Sequence, residues 1–542
     1  MKIALVQPQV KIGDFEGNFQ KITSHIEKAS AEGADLVVFP ELAVCGYPPE
    51  DLLSYRGFVD QALNKISGIA EWCHDIAAIV GGVSRSGNKG AGLYNSAFFL
   101  RNGQVEKVIA KRLLPWYDVF DEYRYFDPAG SDQSPVVELS GRRLLITICE
   151  DIWDAELTNY YSESYVNELA NYSGDAIINI AASPFSKEQV GRRENVLEKV
   201  SGKTEKPVIF VNQLGAHADL IFDGGSMVYE PELGVVVQAE RFQEALQCYD
   251  FDKKHQAYNS SPSKEALLHD ALVFGTAEFF RKNNFPGAIL GLSGGIDSAL
   301  GYYLACRALG AENVTPVMLP TRYTSDLSLE GSRKLVENMG GKLEEVSVDE
   351  VFEGYLSALH PLFGETDGGV AEENIQARAR GVVLMALSNK WGQVLLNTTN
   401  KSEMAVGYGT LYGDLCGALS VIGDLFKEDV YRLCEFINAN EELIPRKIID
   451  RPPTAELKHD QKDEDSLPPY EKLDKILYHY VNRGISPNEI IKKGFEPSMV
   501  HEVVKRVENN EFKRYQSPPV LRVSDKAFGR GRRIPLVARF NF

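Results

Sequence analysis

The stretch Leu290 to Ser298, LGLSGGIDS, constrains the fold of this chain more than any other. An apolar run that ends in a glycine-rich turn reads as a buried strand, and helical spacing resumes directly after the turn. A buried strand feeding a helix belongs in a parallel sheet covered by helices on both faces. The flanking pattern agrees. Helices are expected over 263–283, 297–309 and 371–390, with buried strands over 288–292, 315–319 and 393–397.

Before residue 250 short β-rich runs also alternate with helical periods. Strands are expected at 3–6, 36–39, 76–83, 97–100, 144–148, 176–181 and 208–211, and helices at 18–32 and 162–172, which is a second layered α/β pattern. Between the two patterns lies the small, polar segment YNSSPSKE over 258–265. Ser261 suits a helix cap and Pro262 the first helical position, so the join is placed near 252–262. A length of 542 residues admits three or four modest domains or two large ones. The pattern selects two, over 1–255 and 262–542. Residues 320–330 and the Pro- and charge-rich 450–470 read as long loops, hence as candidate lids.

Charge narrows the class of partner. With 58 Lys and Arg against 76 Asp and Glu the net charge is -18, a balance that excludes nucleic acid or an anionic membrane as the main partner. A basic spot remains at Lys526 to Arg533. Seven scattered cysteines form no C-x-x-C pair and no zinc-spaced cluster, which fits a reduced cytoplasm. The opening MKIALVQPQV reads as a strand rather than a signal peptide, and no run approaches the roughly 18 apolar residues of a membrane span. The expectation is a cytoplasmic, soluble protein.

In the loop itself Gly291, Leu292, Ser293, Gly294, Gly295, Ile296, Asp297 and Ser298 let the backbone approach a phosphate closely, with the N-terminus of the next helix behind it. The two serines add hydroxyl donors. Asp297 suits phosphate binding if Mg2+ bridges carboxylate and phosphates. An ordinary strand–helix turn is the bland alternative, but the whole string S-G-G-x-D-S resembles the loop of enzymes that cleave ATP between its α and β phosphates. Further blocks, EENIQAR (372–378), LNTTNKSE (396–403), GYGTLYGD (407–414), GDLFKEDV (423–430) and DQKDEDSLPPY (460–470), resemble the NAD synthetase family over almost all of 263–542. The resemblance implies a Rossmann-like parallel α/β domain. In it Thr398 and Lys427 would meet ATP, while Asn374, Glu403 and Lys513 would meet deamido-NAD. Glu403 and Asp414 are carboxylates suited to Mg2+ beside Asp297.

The first half carries three chemically pointed blocks: FPEL with Glu41, KRLLP with Lys111, and CEDIW with Cys149. A thiol nucleophile needs a base, and an acyl-transfer intermediate needs a positive donor for its oxyanion. One Glu, one Lys and one Cys supply those roles. Cys149 could instead be a buried core thiol, the reading taken for the other six cysteines, but Glu150, Asp151 and Trp153 continue a buried strand poorly. The blocks resemble the nitrilase superfamily over roughly 1–250, which implies a four-layer αββα sandwich, Glu122 (in VFDEYRYF) as an accessory glutamate, and glutamine held by Tyr117, Ser183 and either Arg192 or Arg193.

A nitrilase-like domain ahead of an NAD synthetase domain resembles the glutamine-dependent NAD+ synthetases. That likeness implies ammonia release from glutamine in the first domain, ATP-driven amidation of deamido-NAD in the second, and a homo-oligomer. Alternatives at this stage are a glutamine-fed synthetase acting on another acid, a tRNA-modifying pyrophosphatase, and a nucleotide sensor joined to an amidase.

Overall fold

A computed structural model describes the chain except for residues 88–90, 158–159, 162–163, 218, 259–261, 365–368, 455, 459–462 and 539–542. Contacts divide it into two units, Met1–Gly215 with Ile221–Ser261, and Ala216–Leu220 with Pro262–Phe542.

The apolar runs of the first unit form two six-stranded mixed sheets. One runs edge to edge as Ala245–Asp250, Lys2–Gln7, Leu36–Val38, Ala77–Arg85, Leu93–Arg101 and Gln104–Ala110. The other runs Gly234–Gln238, Met227–Glu230, Val208–Asn212, Ala176–Ala181, Arg142–Ile148 and Val136–Leu139. Their inner faces share one core, in which Ile3, Leu5, Val38 and Ile79 of the first sheet meet Ile146, Ile148, Ile178 and Val211 of the second. Burying each such side chain is worth about 1.5–3 kcal/mol, so the interface is the main source of stability here. Helices Phe15–Ala31 and Arg56–Ala70 cover the first sheet and Gln189–Thr204 the second, with Tyr165–Asn171 beside it. This is the expected αββα sandwich. The expected helix 162–172 is observed from Tyr165, and residues 162–163 of it lie outside the described residues.

Packing at the sandwich rim includes a buried ion pair. Arg193 donates to both Asp223 oxygens, at 2.7 and 2.9 Å, to Ser183 Oγ at 3.2 Å, and to the Ser183 and Pro184 carbonyls at 2.7 and 3.1 Å. The whole donor fork is thereby satisfied inside the protein.

In the second unit the strands Glu344–Glu345, Val314–Met318, Ala288–Gly291, Val394–Asn397 and Leu419–Ser420 lie in that order, all parallel. The helix Ile296–Leu309 leaves the central strand through the glycine-rich turn and packs on Lys264–Asn283. That second helix starts later than the Ser261–Pro262 pair predicts. Its cap is Ser263, whose side chain accepts from the Ala266 N–H at 3.1 Å. The expected loop 320–330 is half helix, since Asp326–Met339 begins inside it under a Ser325 cap. Of the 450–470 segment, residues 455 and 459–462 lie outside the described residues.

Behind the sheet a helical cluster buries Leu473, Ile476, Val500 and Val503 against Met404 and Phe426. The chain then returns along the edge strand. Val520 bridges Ser420, the Val523 and Ser524 N–H groups donate to Asp424 at 2.8 and 2.7 Å, and buried Lys401 links Asp424 (2.8 Å), Ser524 Oγ (2.8 Å) and the Lys526 carbonyl (2.6 Å). Among the described residues no helix is long and apolar enough to cross a membrane.

Removing one partner of a buried pair strands the other charge. Asp223→Ala is therefore expected to destabilise the first unit by about 3–5 kcal/mol, measured by chemical denaturation, and Asp223→Ala/Arg193→Met to recover part of that loss. An unchanged midpoint for Asp223→Ala would count against the pair as a structural clamp.

Candidate active sites

In the first unit each chemically pointed residue stands just beyond the end of a strand. Glu41 follows Leu36–Val38, Lys111 follows Gln104–Ala110, Cys149 follows Arg142–Ile148 and Ser183 follows Ala176–Ala181. Cys149 turns the chain from strand into a short helical segment, Cys149–Ala155, with φ 44°, a left-handed conformation that costs a non-glycine residue on the order of 1 kcal/mol. Asp151 holds this elbow to the KRLLP block: its carboxylate accepts from the Arg112 and Leu113 N–H groups, both at 2.9 Å, and from the Ile148 N–H at 2.8 Å. Gly81 allows the FPEL block to lie close, because a Cβ there would stand 2.3 Å from the Pro40 carbonyl oxygen.

Lys111, buried, donates to Glu41 at 2.7 Å and to both oxygens of Glu122 at 2.9 Å. Glu41 also accepts from Asn95 Nδ2 at 2.6 Å and from the Ala182 N–H at 2.9 Å; Glu122 also accepts from the Tyr47 hydroxyl at 2.9 Å. The positions of both carboxylates are thus fixed by two or more donors. Burial works against the Lys111 charge, but Glu122 and Glu41 outweigh it and hold its pKa well above lysine's usual value. Burial likewise raises the Cys149 thiol, Glu41 adds to that, and Lys111 opposes it. The resting nucleophile is a thiol that needs a base.

Around this centre Glu150 accepts from the Tyr117 hydroxyl (3.0 and 3.1 Å) and the Tyr161 hydroxyl (2.7 Å), and burial pushes its pKa up to about 7. Ser183 is buried, its N–H on Asn212 and its hydroxyl under Arg193 and Gln189. The Arg192/Arg193 alternative divides cleanly: Arg193 is committed to Asp223, whereas Arg192 pairs with Glu156 at 2.8 Å near the Trp153 ring and lies within electrostatic reach of Tyr117.

In the second unit a cleft of about 270 Å³ opens at the C-terminal ends of the central strands. Gly291 to Ser298, apart from Gly294, line it with Thr398, Glu403, Asp414 and Lys427. Two serine hydroxyls shape the loop: Ser298 Oγ accepts from the Ser293 N–H at 3.2 Å, and Ser293 Oγ from the Gly295 N–H at 3.3 Å. Gly294, at φ 80°, abuts Ser328, where a Cβ would come within 2.6 Å of Cα. The helix Ile296–Leu309 has Gly295 at its cap and no side chain covering its first N–H groups, which leaves them for an anion.

Lys427 donates to Asp297 and, at 3.4 Å, to Glu403; Asn400 Nδ2 holds the other Asp297 oxygen at 2.9 Å. Burial, with Asp297 and Asp463 adding to it, raises the Glu403 carboxyl to about 8 against the pull of Lys427. Two carboxylates already meet on one cation, so Asp297 and Glu403 are chemically suited to a magnesium ion. Asp414, which residue type suggested as a third ligand, lines the same cleft but does not join the Asp297–Lys427–Glu403 group. Its carboxylate accepts from the Thr410 N–H at 2.6 Å inside its own turn, and its electrostatic neighbours are Lys513 and Arg380 rather than Asp297. Asp463, held by the Tyr408 and Tyr470 hydroxyls at 3.2 and 3.0 Å, is a further acid within electrostatic reach of Lys427, and among the described residues no three acids, histidines or cysteines stand ready as a metal site. Asn374 and Lys513 do not line the cleft; Asn374 accepts from the Thr410 hydroxyl at 2.6 Å, and Lys513 donates to the Gly407 and Gly409 carbonyls at 2.8 Å, so both buttress the 407–414 loop.

Sequence reasoning missed Asn95, Asp151, Glu150, Asn400 and Asp463 as site members. A polar Asn inside the apolar run LYNSAFFL was a visible signal for the first, and the T-N-K-S-E cap pattern for the fourth.

Residues 2–259 match the carbon-nitrogen hydrolase family and residues 270–517 the NAD synthase family, so the chain joins a carbon-nitrogen hydrolase domain to an NAD synthase domain. It is 41% identical over 555 residues to the glutamine-dependent NAD(+) synthetase of Synechocystis sp., covering 99% of both chains, and 36% identical over 579 residues to that of Thermotoga maritima, covering 100% and 99%. The glutamine-dependent NAD+ synthetase of Acinetobacter baumannii, solved in complex with ADP, superposes with a TM-score of 0.78 at 36% identity over 99% of this chain and 98% of that one. The chain belongs to the glutamine-dependent NAD(+) synthetase family.

The raised Glu150 carboxyl has a stability signature. In the folded state it keeps its proton up to about pH 7, whereas unfolded it would release it near glutamate's ordinary value of 4.5, so the folded state binds more protons in that window and stability falls as pH rises through it. Glu150→Gln keeps an acceptor for both tyrosines, and its melting temperature is expected to gain on the wild type as pH rises from 4.5 to 7. A constant difference across that range would refute the shift.

Proposed function

We propose that residues 1–255 hydrolyse glutamine and that residues 262–542 use the ammonia with ATP to amidate deamido-NAD, giving NAD+, AMP, pyrophosphate and glutamate, the last step of NAD+ biosynthesis. The observation that carries this reading is the convergence of Glu41, Lys111 and Glu122 on the elbow that holds Cys149.

Glu41 takes the Cys149 proton as sulfur attacks the side-chain amide carbon of glutamine, and Lys111 stabilises the oxygen that becomes negative. Glu41 returns the proton to the leaving nitrogen, and ammonia departs. Water, deprotonated by Glu41, then cleaves the thioester to glutamate and free thiol. Glu122 holds Lys111 in place beside Glu41 and keeps its charge. Tyr117, Ser183 and Arg192 bind the amino-acid end of glutamine, and Arg193 acts on Ser183 from behind.

In the cleft the 291–298 loop and the open helix N-terminus hold the ATP phosphates, with Thr398 and Lys427 as further contacts. Asp297 and Glu403 hold Mg2+, which when bound supplies positive charge beside the phosphates. A carboxylate oxygen of deamido-NAD displaces pyrophosphate from the α phosphorus, and ammonia then displaces AMP from the acyl carbon. Asn374, Glu403 and Lys513 serve the dinucleotide, the first and last through the 407–414 loop they support.

Seven free cysteines support a cytoplasmic setting, and the charge of -18 supports the exclusion of nucleic acid and membrane as partners. A homo-oligomer is supported by Leu362, Val370, Val382 and Met385, apolar and exposed on the neighbouring helices Asp349–Phe363 and Val370–Trp391; sedimentation as a monomer at micromolar concentration would count against it.

With ATP, deamido-NAD and amide-15N glutamine, the label is expected in the NAD+ carboxamide. Cys149→Ala should abolish synthesis from glutamine yet keep most of the rate from high ammonium salt, and Asp297→Ala should lose both. Loss of both rates in a folded Cys149→Ala protein would sink this division of labour.

A further inference from the structure

Three cations and five carboxylates line the nucleotide cleft: Arg380, Lys427 and Arg451 against Asp297, Glu403, Asp414, Glu456 and Asp463. Two of the cations are spoken for. Lys427 pairs with Asp297 and Glu403, and Arg451 pairs with Glu456. Arg380 differs. Among the described residues it has two contacts, from Nε to the Leu319 carbonyl at 3.2 Å and from Nη2 to the Thr321 hydroxyl at 3.5 Å, and no carboxylate at ion-pairing distance. A guanidinium has five N–H donors, so most of its fork is left over.

Arg380 lies on the helix Val370–Trp391 with Ala377, Gly381 and Leu384, residues spaced so that one helical face looks into the cleft, and all four line it. The side chain is partly buried, and burial pulls its pKa below the ordinary guanidinium value, with Asp414, Glu456 and Asp349 offsetting this only in part. A withdrawn charge without a counter-ion is costly, which is why structural arginines are paired. This chain provides its own comparisons: Arg193 is saturated by Asp223, Ser183 and two carbonyls, and Arg514 is held by Glu511 and backbone carbonyls. Arg380 therefore costs stability unless something else supplies the anion.

We propose that Arg380 binds an oxyanion of substrate in this cleft, a phosphoryl or carboxylate group presented to its planar fork by ATP or by the dinucleotide. The inference rests on the synthetase reading given above. Carboxylate and phosphoryl oxygens match the spacing of the guanidinium N–H groups, which a lysine ammonium cannot reproduce. Asp414 acts on Arg380 only through space, since one of its oxygens is held on the Thr410 N–H and no ion pair joins the two side chains.

The test uses the full chain, ammonium as nitrogen source, and separate KM values for ATP and deamido-NAD in Arg380→Ala and Arg380→Lys. Loss of a charge-assisted contact predicts a rise in one KM of roughly tenfold or more in Arg380→Ala, with a smaller rise in Arg380→Lys. A rise for ATP alone assigns the nucleotide as the source of the anion, and a rise for deamido-NAD alone assigns the dinucleotide; both support the proposal. Unchanged KM values in a folded Arg380→Ala protein would overturn it. If Arg380→Ala does not fold, Arg380→Lys decides: wild-type values for both substrates reduce Arg380 to a structural residue. Wild-type protein that forms no NAD+ from these substrates defeats the synthetase reading itself, whereas active wild type with unaffected Arg380 variants defeats only this inference.

Discussion

A lysine ammonium held between two carboxylates, out of water, is the interaction on which both sites depend. Lys111 lies between Glu41 and Glu122, and Lys427 between Asp297 and Glu403. At an effective dielectric of about 20, opposite charges 4 Å apart attract by about 4 kcal/mol, enough to keep the lysine charged despite burial. Each arrangement holds one carboxyl group more than it has ammonium groups. One surplus acid at each place makes the first site a proton acceptor beside a thiol and the second a receptor for further positive charge. The same motif, read with different neighbours, thus stands beside a thiol in one unit and beside the glycine-rich turn of the cleft in the other.

Strand ends make these arrangements possible. Apolar residues up to Val38, Ile148 and Ala181 in the first unit, and up to Leu290 and Leu396 in the second, fill the core, and the next few residues are released to carry polar groups. Rigid sheets then position those groups with little freedom, and the Cys149 elbow and the Gly294 turn are the places where the backbone leaves its ordinary conformations to do so.

Much of this was legible in the residues. Buried strands announce themselves by β-branched runs, and FPE, K-R and C-E-D stand out because polar residues follow those runs abruptly. Three-dimensional company was less legible. Asp414 and Asp463 are both aspartates, and only the fold decides that one caps its own turn while the other, held by Tyr408 and Tyr470, lies within electrostatic reach of Lys427. Arg192 and Arg193 differ by about 100° around a helix; the buried face is marked by Arg193, Val196, Leu197 and Val200, a period that was available but masked by the pull of a charged side chain toward a ligand role. Ser261 and Ser263 both precede a helix, and the first turn's hydrogen bonds chose the second. Arg380 had no sequence signal, because a missing counter-ion is a property of space.

The return of the chain along its edge strand has a consequence for the order in which the protein is made. Lys401 and Asp424, which flank the residues that carry Glu403 and Lys427, are locked by Ser524 and the Lys526 carbonyl. As the chain is made, this acid–lysine pair therefore waits from Asp424 until Ser524 for its last partners, while the strands of the sandwich have all emerged by Asp250. Maturation runs from the thiol end to the nucleotide end, and the Lys401–Asp424 clamp closes only once residues 524–526 are present.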